Sequence, residues 1–204
     1  MAKPNRCSTQ KNGKIRACVD YRKLNAVTIT NTFPLQFTDA VVGHEMYNFL
    51  DGFIGYNQVR MYPEDQEKTT FVTEWGVFVA VVMMFGLKNA PITFQRMVME
   101  IFEEYIPTFM QVLMNDFAVY SRKMEHLNHL RMCLEECRVA RLSLNLAKCA
   151  FEATSGALLW NIVSRETIVV DPDKVKEILQ APRLTNAKAL SRFLEQIRCH
   201  SQIL

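Results

Sequence analysis

The chain has 204 residues, 49% of them hydrophobic and 22% charged, with a formal net charge of +3. That composition is the one of a soluble globular protein with one large domain or two small lobes, and its mild basicity permits nucleic-acid binding without arguing for it. No apolar run approaches the roughly 18 residues of a membrane span, because Val77 to Phe85 and Phe109 to Met114 are both short.

In chain order, residues 1–14 are polar and basic, and Lys11-Asn12-Gly13 marks a turn. The opening Met-Ala-Lys-Pro-Asn-Arg-Cys has no apolar stretch of a secretory leader. The six cysteines form neither a zinc ribbon nor a disulfide framework, so a reduced intracellular protein, cytoplasmic or nuclear and not secreted, is expected. Arg16 to Tyr21 is a predicted strand, and Tyr47 to Leu50 another that ends at Asp51. Phe71 to Phe85 is rich in Val and Phe, with Trp75-Gly76 as a hairpin tip. Pro91 opens a helix whose Phe94, Met97, Val98, Ile101, Phe102 and Tyr105 share a face, and Pro107 ends it.

Residues 111–121, Gln-Val-Leu-Met-Asn-Asp-Phe-Ala-Val-Tyr-Ser, place two apolar runs around a polar pair, the pattern of a tight hairpin. Asn115 and Asp116 then sit at the turn. They serve there as ordinary turn formers, or as a displayed carboxylate and amide suited to a metal ion. A helix follows from about Met124 to Arg141, with Leu127, Leu130, Leu134 and Cys137 on one face. His126, His129, Cys133 and Cys137 also share a face. One straight helix strings ligands along its axis, so a buried stripe is the reading preferred over a metal site. Leu158 to Val163 is a predicted strand. Asp171-Pro172 caps and starts a short helix carrying Val175, Ile178 and Leu179, and Ala181-Pro182 closes it. A last helix runs from about Asn186 towards Cys199. The order is a mixed α+β pattern, with antiparallel strands and helices packed to one side and no glycine-rich phosphate loop.

Several short motifs then combine. They are Cys18-Val-Asp-Tyr-Arg-Lys-Leu-Asn25, Phe33-Pro34-Leu35, Phe49-Leu50-Asp51, Gly55-Tyr56-Asn57-Gln58, Glu64-Asp65 and Lys68-Thr-Thr-Phe71. Phe85-Gly-Leu-Lys-Asn-Ala-Pro91, Thr93-Phe-Gln95, Val119-Tyr-Ser121, Glu125-His-Leu127, Leu144-Asn145, Lys148-Cys149 and Asp171-Pro172 follow. In this order and spacing they closely resemble the reverse transcriptase domain of LTR retrotransposons of the Ty3/Gypsy type, across roughly residues 6–200. Retroviral polymerases are a more distant match.

The resemblance implies a right-hand polymerase: fingers at about 1–40 and 59–89, palm at about 41–58 and 90–165, and a helical tail over 166–204. It implies RNA-directed DNA synthesis from dNTPs on a primed RNA or DNA template, with two Mg²⁺ ions. Asp51 matches the first catalytic aspartate and Asp116 the second aspartate of the hairpin pair. Asn115 stands where the family has the first aspartate of that pair, and Leu113 where it usually has tyrosine. The motif thus reads Leu-Met-Asn-Asp in place of Tyr-Leu-Asp-Asp. Arg16 and Lys11 match cations that grip the triphosphate, or are solvated surface charges. Asp20 and Arg22 are expected to form a structural ion pair. Tyr56 matches the ring that excludes a ribose 2′-hydroxyl. Phe85 and Gly86 would line the nucleotide pocket, and Lys148 matches a lysine near the pyrophosphate, a candidate general acid. Packing is the alternative for each of these.

Met84 replaces a proline, while Trp160, in the strand pair that grips the primer, Thr167 and Glu195 replace glycines. The chain reaches Leu204 where the resemblance expects a thumb, so further polyprotein domains or a second chain are implied partners. The function expected is a reverse transcriptase impaired by Asn115. The alternatives are a silent retroelement relic that binds nucleic acid or a partner, and a degenerate fragment without a role.

Overall fold

The computed structural model describes residues 6–9, 15–33, 39–158, 161–180 and Leu190. Among them run β1 (Arg6–Thr9), β2 (Ile15–Cys18), α1 (Arg22–Val27), β3 (Met46–Asp51), α2 (Pro63–Gln66), β4 (Phe71–Thr73), β5 (Gly76–Phe78) and α3 (Ala90–Ile101). They continue with β6 (Met110–Leu113), β7 (Asp116–Ser121), α4 (Lys123–Val139), β8 (Ala150–Ala153), β9 (Ser155–Leu158), β10 (Asn161–Ser164), β11 (Ile168–Val170) and α5 (Pro172–Leu179). No described helix is long and apolar enough to cross a membrane. The chain divides into two compact units, residues 1–34 with 52–101, and residues 35–51 with 102–204. Residues 52–58 and 90–101, assigned above to the palm, cluster with the first unit.

In the first unit, β1 and β2 form an antiparallel pair, as do β4 and β5. The tip of the second hairpin is Glu74-Trp75, one residue earlier than expected, and Gly76 opens β5 with a φ of +137° that favours glycine. Trp75, Val77 and Phe78 are exposed there. α3 buries Ala90, Phe94, Gln95 and Val98, spaced for one helical face. It ends at Ile101, before the expected stop at Pro107, and turns occupy 102–109. The loop ahead of it is held by asparagines. Asn25 Nδ2 donates to the Gly86 carbonyl at 2.7 Å, and the Lys88 amide donates to Asn25 Oδ1 at 2.9 Å. Asn89 Nδ2 donates to the Ile29 carbonyl at 2.9 Å.

The second unit is built on an antiparallel four-stranded sheet in the order β6-β7-β3-β8. Side chains alternate across a sheet with period two. Tyr47 and Phe49 therefore share a face with Ala118, Tyr120 and Leu113. Leu158 of β9 and Val163 of β10 complete that core. Side chains of this size contribute about 1.5–3 kcal/mol each when fully buried. Burial raises the Tyr120 phenol to about 12, and its hydroxyl donates to the Pro107 carbonyl. The opposite face, carrying Asn48, Leu50, Phe117 and Val119, is buried, and α4 packs on β3 and β7.

The inner edge of α4 is His126, Cys133 and Cys137, a buried stripe as expected. Leu127 and Leu134, placed on the packed face by the sequence reading, are exposed instead. His126 takes the inner face because it finds partners there: Asn48 Nδ2 lies 2.7 Å from Nε2, and Ser121 Oγ lies 2.8 Å from Nδ1. The helix closes with Arg141 at φ +56° and paired amides, Arg141 N to the Arg138 carbonyl and Leu142 N to the Cys137 carbonyl. The predicted single strand over 158–163 is two strands, β9 and β10, paired in antiparallel register, with β11 beyond. Leu158 is therefore opposite Asn161 in place of being continuous with it. At α5 the Asp173 amide donates to Asp171 Oδ1 at 2.9 Å, the expected cap. The last predicted helix lies outside the described residues, Leu190 excepted.

Candidate active site

Two strand ends of the second unit carry the site. β3 finishes at Asp51 and β7 begins at Asp116, and the two are register partners in the antiparallel ladder. They stand on the same face as Phe49 and Ala118, one step beyond the packed core. Directly opposed residues have Cβ atoms about 4.5–5.5 Å apart, and like charges in such positions repel. An arrangement of this kind is stabilised by a cation.

The β6–β7 hairpin sets the position of Asp116. Leu113 pairs with Asp116, so the loop is Met114-Asn115, one residue earlier than the expected Asn115-Asp116 turn. Asp116 closes the ladder opposite Leu113, which is buried and anchors the other strand. Met114 adopts φ +54°. A left-handed conformation costs a bulky residue about 1–2 kcal/mol, so the surrounding sheet imposes it. The Asn115 side-chain oxygen Oδ1 is buried without a hydrogen-bond partner.

A turn over residues 145–149 clamps Asp51 at three points. The Asn145 amide donates to the Asp51 carbonyl at 2.7 Å, and the Asp51 amide donates to Cys149 Sγ at 3.5 Å. Lys148 Nζ lies 3.1 Å from Asp51 Oδ2. The turn is braced internally by the Lys148 amide on the Asn145 carbonyl and by the Cys149 thiol on the same carbonyl. The Asp51 side chain is 18% exposed and that of Lys148 is 66% exposed, so the carboxylate is fixed and the lysine reaches in from solvent. Sequence reasoning gave no role to Asn145 or Cys149, although both fall in motifs of the resemblance. Their main-chain and thiol contacts leave no periodic signal.

The other expected residues are distributed differently. In the first unit, the Tyr56 ring lies against Phe85 at 5.2 Å and Phe94 at 6.1 Å between centroids, and burial raises its phenol above the usual range. Gly86 has φ +96° and holds the loop turn that Asn25 clasps. Asp20 and Arg22 form the expected ion pair, at 2.6 Å, on an exposed surface. Arg16 lies on β2 with its backbone opposite Ser8. Lys11 and Trp160 lie outside the described residues.

The donor set tests whether a divalent cation fits. Two carboxylates and a buried, unpartnered amide oxygen are hard oxygen donors of the kind Mg²⁺ and Mn²⁺ take. Among the described residues no group of three or more His, Cys, Asp or Glu could hold a metal ion. The two carboxylates and the amide oxygen are of the donor type a dication takes, with one anionic donor fewer than the three-aspartate set that the resemblance implies.

Residues 2–178 match the protein-family model described as reverse transcriptase (RNA-dependent DNA polymerase). The chain is 38% identical over 184 residues to the retrovirus-related Pol polyprotein from transposon opus of Drosophila melanogaster. The match covers 88% of this chain and 18% of that polyprotein. It is 28% identical over 193 residues to the transposon Tf2-3 polyprotein of Schizosaccharomyces pombe, covering 92% of this chain and 14% of the other. Its fold matches the foamy viral protease-reverse transcriptase in complex with double-stranded DNA at a TM-score of 0.77 and 19% identity. That likeness covers 96% of this chain and 35% of the other. The same viral enzyme with an RNA/DNA hybrid matches at 0.76 and 18% identity, over 96% of this chain and 27% of that one.

Proposed function

The chain belongs to the reverse transcriptase (RNA-dependent DNA polymerase) family, in the branch carried by LTR retrotransposon polyproteins, and from that membership we propose that it adds deoxynucleotides to a primer on an RNA or DNA template, slowly. The observation that supports this reading is the register pairing of Asp51 with Asp116 at the end of the sheet. These carboxylates would hold divalent cations, with the Asn115 amide oxygen as a neutral donor beside them. Divalent ions, when bound, lower the pKa of an attacking 3′-hydroxyl and neutralise the triphosphate and leaving group.

The slowness follows from charge. An amide offers an oxygen but no negative charge where the family motif has a carboxylate. Cation stabilisation of a charged transition state amounts to several kcal/mol. Losing part of it, at about 1.4 kcal/mol per tenfold, lowers the rate on the order of a thousandfold. Tyr56, packed on Phe85 and Phe94, would act as the ring that excludes a 2′-hydroxyl, and those ring contacts support the reading. Asn25 fixes the Phe85-Gly86 loop that would line the nucleotide site.

The test is primer extension by the purified chain on a primed RNA template, with Mg²⁺ and then Mn²⁺. Barely detectable, template-matched incorporation that disappears in Asp51→Asn is expected. Incorporation equal in the chain and in Asp51→Asn would refute the assignment of the site.

A further inference from the structure

The ammonium group of Lys148 lies 3.1 Å from Oδ2 of Asp51, a carboxylate read above as a cation ligand. We infer that Lys148 is a tethered competitor for the divalent cation, holding Asp51 while no cation is bound and leaving when one binds. The inference rests on the reading of Asp51 as a cation ligand.

Three observations carry it. The first is contact: Nζ to Oδ2 is 3.1 Å, the distance of a charge-assisted hydrogen bond. The second is the tether. The turn that bears Lys148 is fastened to the Asp51 backbone on both sides, through the Asn145 amide and the Cys149 sulfur. The ammonium therefore competes as an intramolecular group at high effective concentration, which a free monovalent ion does not reach. The third is mobility of the right partner. Asp51 is held by β3, whereas the Lys148 side chain is largely in solvent and can swing out without disturbing a core. With Asn115 neutral, the ammonium leaves one net negative charge on the group formed by Asp51, Asp116 and Lys148. The competition is most severe where a carboxylate is missing, because a dication gains least there.

The test is Mn²⁺ binding followed by electron paramagnetic resonance of the free ion. The proteins are the chain, Lys148→Met, Lys148→Arg and Asp51→Asn, with thermal unfolding to establish that each is folded. Lys148→Met is expected to bind Mn²⁺ about three- to fivefold more tightly, the range of a partly exposed ion pair. Lys148→Arg keeps the charge and is expected to stay within about twofold of the chain. Asp51→Asn is expected to lose the binding. Unchanged or weaker binding in Lys148→Met, with binding still lost in Asp51→Asn, would overturn the competitor role and leave the site assignment standing. Mn²⁺ binding unchanged in Asp51→Asn would overturn the site assignment itself.

Discussion

The Phe49 ring lies two residues before Asp51 and sets how close β9 comes to β3. A Cβ added at Gly156 would fall 2.2 Å from Phe49 Cε2 and 2.5 Å from Cδ2, well inside contact distance. Phe49 is itself buried and stacks on Tyr47, with ring centroids 5.8 Å apart, so it has little room to yield. Gly156→Ala is expected to destabilise the chain by about 1–3 kcal/mol, the cost of overpacking a core. The check is urea unfolding, and an unchanged midpoint would show that Phe49 yields freely. At this scale the sequence was informative about identity and less so about position. Asp51 and Asp116 were legible as a pair through the resemblance to the family motifs, since the apolar runs around them mark only a strand end and a turn. The turn was placed one residue late, because Met114 carries none of the usual signals of a left-handed residue. Asn145 and Cys149 act through an amide and a thiol, which no side-chain pattern announces.

Among the elements, α4 shows where periodicity misleads. Its extent was legible, from about Met124 to Arg141 against the observed Lys123–Val139. Its buried stripe of His126, Cys133 and Cys137 was legible too, but Leu127 and Leu134 were also assigned to a packed face, because leucines are the default choice for a core. Hydrogen bonding decides the case. The Glu152 amide donates to Asn48 Oδ1 at 2.9 Å, which turns the Asn48 NH₂ towards His126 Nε2. Nε2 must then accept, and Nδ1 carries the proton facing Ser121. Protonating Nε2 would set two donors against each other. Burial, reinforced by His129 and opposed by Glu152, lowers the pKa of His126 below its ordinary value of 6.5. The unfolded chain therefore binds more protons than the folded one below about pH 6.5. The contribution of His126 is complete above that pH and is lost as pH falls towards the lowered folded value. Urea midpoints are expected to fall between pH 7.5 and pH 5.5, about one unit either side of the ordinary His value. His126→Gln is expected to lessen that fall, and an identical slope in the variant would contradict the network. The hairpin of β9 and β10 was missed for another reason: residues 158–163 read as one mostly apolar run, Leu-Leu-Trp-Asn-Ile-Val, with no glycine or proline to divide it.

For the whole molecule, family and fold class were legible in the order of the motifs, since a series of short segments in fixed order constrains a chain more than composition does. Composition was nearly silent, and it sets the next expectation. With a net charge of only +3, phosphate contacts would supply most of any nucleic-acid affinity. Binding to a primed template is expected to be weak and to fall steeply between about 50 and 200 mM salt, followed by fluorescence anisotropy. Tight binding that stays constant over that range would contradict this. Three side chains decide the activity: the opposed carboxylates of Asp51 and Asp116, and the neutral amide of Asn115 next to Asp116 in the chain. Asn115→Asp restores an anionic donor with almost no change of shape. The most direct measurement is dNTP incorporation on a primed RNA template by the chain and by Asn115→Asp, with Asp51→Asn in the Asn115→Asp background as control. The account expects a gain of up to about a thousandfold from the added charge, abolished in the control. Robust synthesis by the unaltered chain, or no gain in a well-folded Asn115→Asp protein, would contradict it.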